Sequence, residues 1–485
     1  FLLALAAIPG SVVPQSAQSA VKVSDFAANH PTLDRICRPL GMYHVYTSVW
    51  FSAIYLLLFI SLIGCIVPRI VSHAKALRRQ PPRVPARLDR LAAHASMTTS
   101  ASAAEVSQRA QQWLTSHRYR FVVDDDGSLR AEAGRHRETG NLVFHIFLVF
   151  VLVGVGWNTL WGFKGTSVVV EGQGFSNSIT QYDEFKAGAM VDTDNLTPFS
   201  MKLRKFVVSF ETGTVQRGAA RSFDATVDLT MGGKTQTRDL QVNHPLRIGS
   251  TKVHLLGHGY AADVVVRDGD GKVAYSGPVV FLPQDANFKS VGVIKAPDAR
   301  PDRLAFQGFF LPTGAITAGG PTSLFPDALN PQLYLTAWYG KPTVETGVPS
   351  NIYTLDTTGL TQVTNGKDKA RFVLSPGQRY KLPDGKGSIQ FNGWQRWAKI
   401  QVSQNPGLPL TFLSVVLSVA GLCVSLFSRS RRVWVRTIPG DDGLRVEIGG
   451  LDRSDSRSGA VDDVNSLLAA LHGDSMSGDV EEEHS

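Results

Sequence analysis

His145 is the residue whose type and setting most invite chemistry. It lies in "ETGNLVFHIFLVFVLVGVGW", residues 138–157, and from Leu142 to Trp157 no other residue is ionisable. An imidazole placed in hydrocarbon needs a partner. Three kinds are open. The ring can hydrogen-bond a Ser or Thr of a neighbouring helix. It can relay protons, although no carboxylate lies within any apolar run. It can ligate a metal or a haem iron, since neutral imidazole is a common iron ligand and costs less to bury than a charge. One histidine does not complete an octahedral haem iron, so a second axial ligand would come from elsewhere.

Other candidates are fewer. His44, in "GMYHVYTSVWF", sits among aromatic residues just before an apolar run, as interfacial packing or as an outer-face ligand. His254 and His258, in "KVHLLGHGY", share one face of a regular strand, although Gly257 invites a bulge; with His244 they sketch a metal site that lacks acidic or Cys partners. Asp268 and Asp270, in "RDGDGK", look like part of a calcium loop but lack its downstream Glu, and Asp-Gly between strands signals a hairpin turn. Cys37, Cys65 and Cys423 are scattered, and no Cys-x-x-Cys exists. The chain is therefore not itself a thioredoxin-like thiol exchanger. No Walker loop, nucleophile elbow or His-Glu-x-x-His helix is present.

The elements that would position His145 are membrane spans. A crossing takes about 20 apolar residues. Residues 49–67, 141–161 and 408–427 qualify, and none contains Lys, Arg, Asp or Glu. Residues 1–13, "FLLALAAIPGSVV", are expected to be the end of a first span rather than of a signal peptide, which makes four. Arg69, Lys75, Arg78, Arg79, Arg83, Arg87 and Arg90 follow the second span, Arg135 and Arg137 precede the third, and Arg429, Arg431, Arg432 and Arg436 follow the fourth. The excess of Lys and Arg marks these flanks as cytoplasmic. Residues 14–48 and 162–407 are then outside, with Trp50, Trp157 and Trp161 at the outer interface. The net charge of +8 belongs to these flanks and to a lipid surface. Nucleic acid is excluded as a partner because the basic run lacks interleaved aromatic residues.

Residues 68–140 hold an Arg/Pro-rich connector, a helix with Val106, Ala110, Trp113 and Leu114 on one face, and a strand–turn–strand at Asp126-Gly127, a small cytoplasmic α+β module. Residues 162–407 carry β-branched and alternating runs broken by Gly, Asn, Asp and Pro, and predict a β-rich sandwich or barrel-like domain. Residues 428–485 predict a cytoplasmic tail with a hairpin at 433–450, a short helix near 461–471 and a disordered acidic end.

In this order the chain resembles the ResB family, a membrane subunit of the System II machinery that matures c-type cytochromes. The likeness is carried by "LLALAAIPGSVVPQ", "YHVYTSVWFSAIYLLLFISLIGCIVPR", "GRHRETGNLVFHIFLVFVLVG", "EGQGFSNSITQYDEF", "NHPLRIGSTKVHLLGHGY", "SLFPDALNPQLYLTAWYG" and "NPGLPLTFLSVVLSVAGLCVSLFSRSRRVWVR", and runs to about residue 450. The resemblance implies a multi-pass protein of the plasma (inner) membrane and a subunit of a cytochrome c synthase of the haem-lyase type, without catalytic residues of its own. It implies transiently held haem, with His145 as axial ligand paired to a histidine of a ResC/CcsA-like membrane partner, and apocytochrome c as recipient. His44 stays a second haem-ligand candidate. The competing reading is a membrane-anchored scaffold that captures apocytochrome or another polypeptide, with His145 purely structural.

Overall fold

In a computed structural model the chain is described for residues 2–16, 20–342, 354–440, 443–452 and 458–472. The acidic end expected to be disordered, 473–485, lies outside the described residues. The fold divides into two compact units, Phe1–Gly156 with Gly407–Ser485, and Trp157–Pro406.

The first unit holds the helices. They are α1 (Leu2–Val12), α2 (Ala20–Asn29), α3 (Pro31–Cys37), α4 (Val49–Arg78), α5 (Ala103–Ser116), α6 (His136–Trp161), α7 (Leu408–Phe427) and α8 (Ser458–His472). Among the described residues three, α4, α6 and α7, are long and apolar enough to cross a membrane, against the four expected. The apolar helix α1, of 11 residues, occupies the segment expected to be the end of a first span. Ser48 caps α4 by accepting from the Phe51 amide at 3.3 Å, and the helix runs on past the apolar stretch to Arg78.

The helices α4 and α6 are antiparallel neighbours. Near one end the Tyr55 hydroxyl donates to the Leu152 carbonyl at 3.0 Å, and near the other Cys65 and Arg69 share a groove with His145. On its opposite face α6 packs against α7 through small residues. A Cβ on Gly140 would lie 2.6 Å from the Gly421 carbonyl oxygen, and the Ser418 hydroxyl donates to the Phe144 carbonyl at 3.2 Å. Close approach through Gly and Ser is how apolar helices gain contact where no hydrophobic force separates helix from lipid.

The expected cytoplasmic module and C-terminal tail are one domain. Five antiparallel strands lie in the order Ala93–Thr99, Gly443–Asp452, Arg431–Gly440, Leu129–Ala133, Arg120–Val123. Two of them come from the C-terminal segment, so Arg431–Gly440 and Gly443–Asp452 belong to the sheet and Ser458–His472 to its cover. The helices α5 and α8 supply Val106, Trp113, Leu114, Val464, Leu467 and Leu471 to a core with Val433, Val435, Val446 and Ile448. A reciprocal cap starts α5: the Ser102 amide donates to Glu105 Oε2 at 2.8 Å, and the Glu105 amide to Ser102 Oγ at 3.3 Å. Nor is the Arg/Pro connector a free linker. The Trp434 indole donates to the Pro82 carbonyl at 3.0 Å and Arg130 to the Pro81 carbonyl at 3.1 Å.

The second unit is the expected β-rich domain. A large curled sheet follows the order Leu360–Gln362, Gln332–Gly340, Arg303–Leu311, Ser290–Ala296, Val273–Pro283, Thr251–Arg267, Ser388–Gln404, Phe163–Val170, Glu184–Ala187. A four-stranded sheet, Gly174–Ser176, Ser200–Phe210, Ala220–Met231, Lys234–Gln241, covers one part of it. The two long strands Thr251–Arg267 and Ser388–Gln404 serve two cores. Val253, Leu255, Ala398, Ile400 and Val402 face the four-stranded sheet, and Tyr260, Val264, Val266, Ile389 and Phe391 face the other core. Asp268 closes the hairpin after the first of them: its carboxylate accepts from the Asp270 amide at 3.1 Å, the Lys272 amide at 2.8 Å and the Arg300 amide at 3.3 Å. This is the turn expected there.

Candidate functional site

His145 lies on the face of α6 that meets α4. The facing residues Leu58, Ser61, Leu62, Cys65, Ile66 and Arg69 follow the i, i+3, i+4, i+7, i+8 spacing of one helix stripe. With Leu142 and His145 they line a groove of about 190 Å³. Its walls are mostly apolar, and Ile66 and Leu142 are buried. Arg69 sets its polar end.

The ring is fixed by its own helix. His145 Nδ1 lies 2.7 Å from the carbonyl oxygen of Asn141, one turn earlier. A carbonyl only accepts, so Nδ1 carries a proton, and in the neutral ring Nε2 carries the lone pair. That is the arrangement of a metal-binding histidine whose second nitrogen is held by a hydrogen bond. Among the described residues no other protein atom hydrogen-bonds the ring, so of the three partners open from the sequence a Ser or Thr of a neighbouring helix is not the one found.

These residues fit the iron side of a haem: a neutral donor nitrogen in an apolar groove with an arginine at one end. A site that encloses a drug-sized ligand takes roughly 300–1,000 Å³. The groove, at about 190 Å³, is smaller and would enclose only part of such a ligand.

His44 is elsewhere. It is exposed, in a short turn of helix at Met42–Thr47 that precedes α4. The groove is lined by α4 residues as far along as Cys65 and Arg69, and Cys65 stands about 24 Å along the helix from Val49, at 1.5 Å per residue. The structure therefore does not bring His44 and His145 together. Gln15 holds the turn carrying His44, donating to the Met42 carbonyl at 2.9 Å and accepting from the Val45 amide at 3.1 Å.

The sketched His244, His254 and His258 site does not form either. A bulge between Leu255 and Gly257 inserts one residue and turns His258 to the face opposite His254. His258 packs among Phe206, Phe210, Phe223 and Phe288, its ring stacked on Phe288 at 4.6 Å. Burial, and next the nearby Arg396, push its pKa down to about 4. His244 is exposed in a turn. No group of three or more His, Cys, Asp or Glu that could hold a metal ion occurs among the described residues.

Sequence reasoning missed the stripe on α4 and the anchor on Asn141. The stripe was not readable, since residues 58–68 carry no charge on any face and no helical period sets one face apart. Nor was the anchor, because every helical residue offers an i−4 carbonyl.

Three proteins similar to this chain carry the name cytochrome c biogenesis protein CcsB. One from Synechococcus sp. (strain JA-3-3Ab) is 24% identical over 443 residues, 89% of this chain and 80% of that protein. One from Nostoc sp. (strain PCC 7120) is 24% identical over 460 residues, covering 93% and 84%. One from Synechococcus sp. (strain WH7803) is 24% identical over 456 residues, covering 93% and 89%. The ResB-like family matches residues 1–461. With that match running through all three long apolar helices and both units, the chain belongs to the ResB-like family.

Proposed function

We propose that this chain is a membrane subunit for cytochrome c maturation that holds haem for transfer to apocytochrome c outside the membrane. Its relatives' shared name supports the process, and His145 supports the role. The observation that carries the reading is the locked ring. Nδ1–H is spent on the Asn141 carbonyl, and Nε2 is left as donor in an apolar groove. Iron held by two histidines has its open positions blocked and its potential tuned. The second histidine belongs to a ResC/CcsA-like partner whose helices complete the groove. Leu58, Leu62 and Ile66 exclude water from one side of the ring, and Asn141 holds the tautomer. Thiol reduction of the acceptor belongs to a separate thioredoxin-like protein.

The test is the full chain purified with its partner. His145→Ala should leave the protein in the membrane, lower haem content and the Soret band, and block cytochrome c maturation. Added imidazole should restore part of the haem. Unchanged haem with only a loss of stability would make His145 a packing residue in the groove between α4 and α6.

A further inference from the structure

A second cavity adjoins the groove. Its volume is about 780 Å³, and it lies where α4 ends and α6 begins, closed by the end of α7 and the first residues after it. Four arginines line it, Arg79, Arg135, Arg137 and Arg432, against two glutamates. Arg135 is committed to the Leu77 carbonyl at 3.1 Å. Glu132 lies 3.9 Å from Arg120. Arg79 and Arg137 form no ion pair among the described residues. Orientation in a membrane explains why arginines stand on this flank. It does not explain why they surround a cavity this large.

Cavity and groove are lined by residues one helical turn apart on both α4 and α6. On α6, Asn141 lines the cavity and holds His145 of the groove one turn on. On α4, His73 lines the cavity and Arg69 the groove, again one turn apart. Over about 5 Å the lining passes from guanidinium groups to leucine and isoleucine. A ligand matched to that gradient has a flat apolar body and acidic groups along one edge.

We propose that this cavity binds the carboxylate edge of the tetrapyrrole whose iron His145 holds, with Arg79 and Arg137 as its carboxylate-binding residues. The inference rests on the ligation reading above. Guanidinium forks pair with carboxylates through two parallel hydrogen bonds. The pairing is stronger at the edge of a low-dielectric layer than in water. The cavity thereby sets which edge of the ring faces inward and presents the iron to Nε2.

The test uses three probes on the full chain with its partner, read by absorbance and fluorescence quenching. They are haem, its dimethyl ester with both carboxylates blocked, and metal-free protoporphyrin, which has carboxylates but no iron. Arg79→Gln with Arg137→Gln should weaken haem and protoporphyrin by roughly tenfold, the loss expected for charged hydrogen bonds, and leave the ester unchanged. His145→Ala should weaken haem and the ester and leave protoporphyrin unchanged. The control Lys75→Gln with Arg83→Gln, outside the cavity lining, should change none of the three. The paired Lys variants at 79 and 137 keep charge and bulk and should regain part of the affinity, so a misfolded Gln variant does not decide the matter. Protoporphyrin bound equally by wild type and Gln variant, or not bound by wild type, overturns the cavity assignment and leaves ligation to the ester result. An ester insensitive to His145→Ala overturns ligation and leaves the cavity to the protoporphyrin result. Loss of co-purifying anionic phospholipid with protoporphyrin affinity intact makes the cavity a lipid headgroup site and also overturns it.

Discussion

Three histidines show how little residue type alone decides. His44 is exposed on a turn, His145 is held by a carbonyl in a groove, and His258 is buried among phenylalanine rings. The sequence marks His145 because its surroundings in the chain are uncharged. It does not mark His258, whose partners Phe206, Phe223 and Phe288 are distant along the chain and whose face depends on a one-residue bulge. The buried ring carries a pH dependence. Its folded pKa, about 4, lies below the ordinary 6.5. The folded state therefore favours the neutral ring, and the stability is fully present above pH 6.5. It is lost as pH falls from there through 4, because protonation then favours the unfolded chain. At 1.36 kcal/mol per pKa unit the loss is on the order of 3 kcal/mol. Arg396, whose guanidinium pairs with Asp327 at 2.7 Å, stays charged across this range and opposes a second positive charge. Thermal melts of wild type and His258→Leu at pH 7 and pH 4.5 check this. The wild type should lose more stability on acidification than the variant, and equal losses would place the acid sensitivity elsewhere.

At the scale of elements α6 does the positioning. One face meets α4 at the groove, and the other lies against α7 through Gly140, Gly154 and the Ser418 bond. The apolar runs and their charged flanks announce these helices in the sequence. Their contact faces are not announced, because a glycine in an apolar run is equally compatible with lipid exposure. Gly140 and Gly156 illustrate the point. A Cβ on Gly140 would meet backbone of α7 at 2.6 Å, whereas one on Gly156 would meet nothing within 4 Å. Gly140→Ala must push the two backbones apart and should cost about 1–3 kcal/mol, as overpacking does. Gly156→Ala should be neutral or stabilising by up to about 1 kcal/mol, from helix propensity. Melting of the purified protein in one detergent compares them directly. The shift of α6 in Gly140→Ala should also lower haem content, while Gly156→Ala keeps it; two variants of equal stability would show that α6 and α7 are not closely packed.

At the scale of the whole molecule, the sheet built from both ends of the first unit carries the least legible feature. The hairpin at 433–450 and the helix near 461–471 were readable from alternation and helical spacing, and the large β-rich segment from its β-branched runs. The strand Ala93–Thr99, "AHASMTT", has small residues and no strong alternation, and its pairing partner, residues 444–450, lies about 350 residues on. Local pattern cannot encode such a pairing; only the shared core of α5, α8 and the central strands does. The pairing has a topological consequence. Segments before α6 and after α7 that share one sheet lie on one side of the membrane, so reporters fused near residues 85 and 445 should agree, and the arginine flanks predict that both report cytoplasm. It has an energetic consequence too. Ending the chain after Phe427 keeps all three long helices but removes the two central strands and α8. Val106, Ala110, Trp113, Leu129 and Ala131 would then lose the residues that bury them. The Tyr119 hydroxyl would lose Asp463, which accepts its hydrogen bond at 2.7 Å. Three strands would remain, the hairpin of Arg120–Val123 with Leu129–Ala133 and an unpaired Ala93–Thr99; with α5 alone they do not hold a core of their own, since an isolated hairpin is marginal in water. Limited proteolysis of inside-out vesicles should therefore cleave the truncated chain within residues 93–133, which the complete chain protects. Cleavage sites outside that segment in both forms, with 93–133 intact, would show that these residues fold without the C-terminal strands.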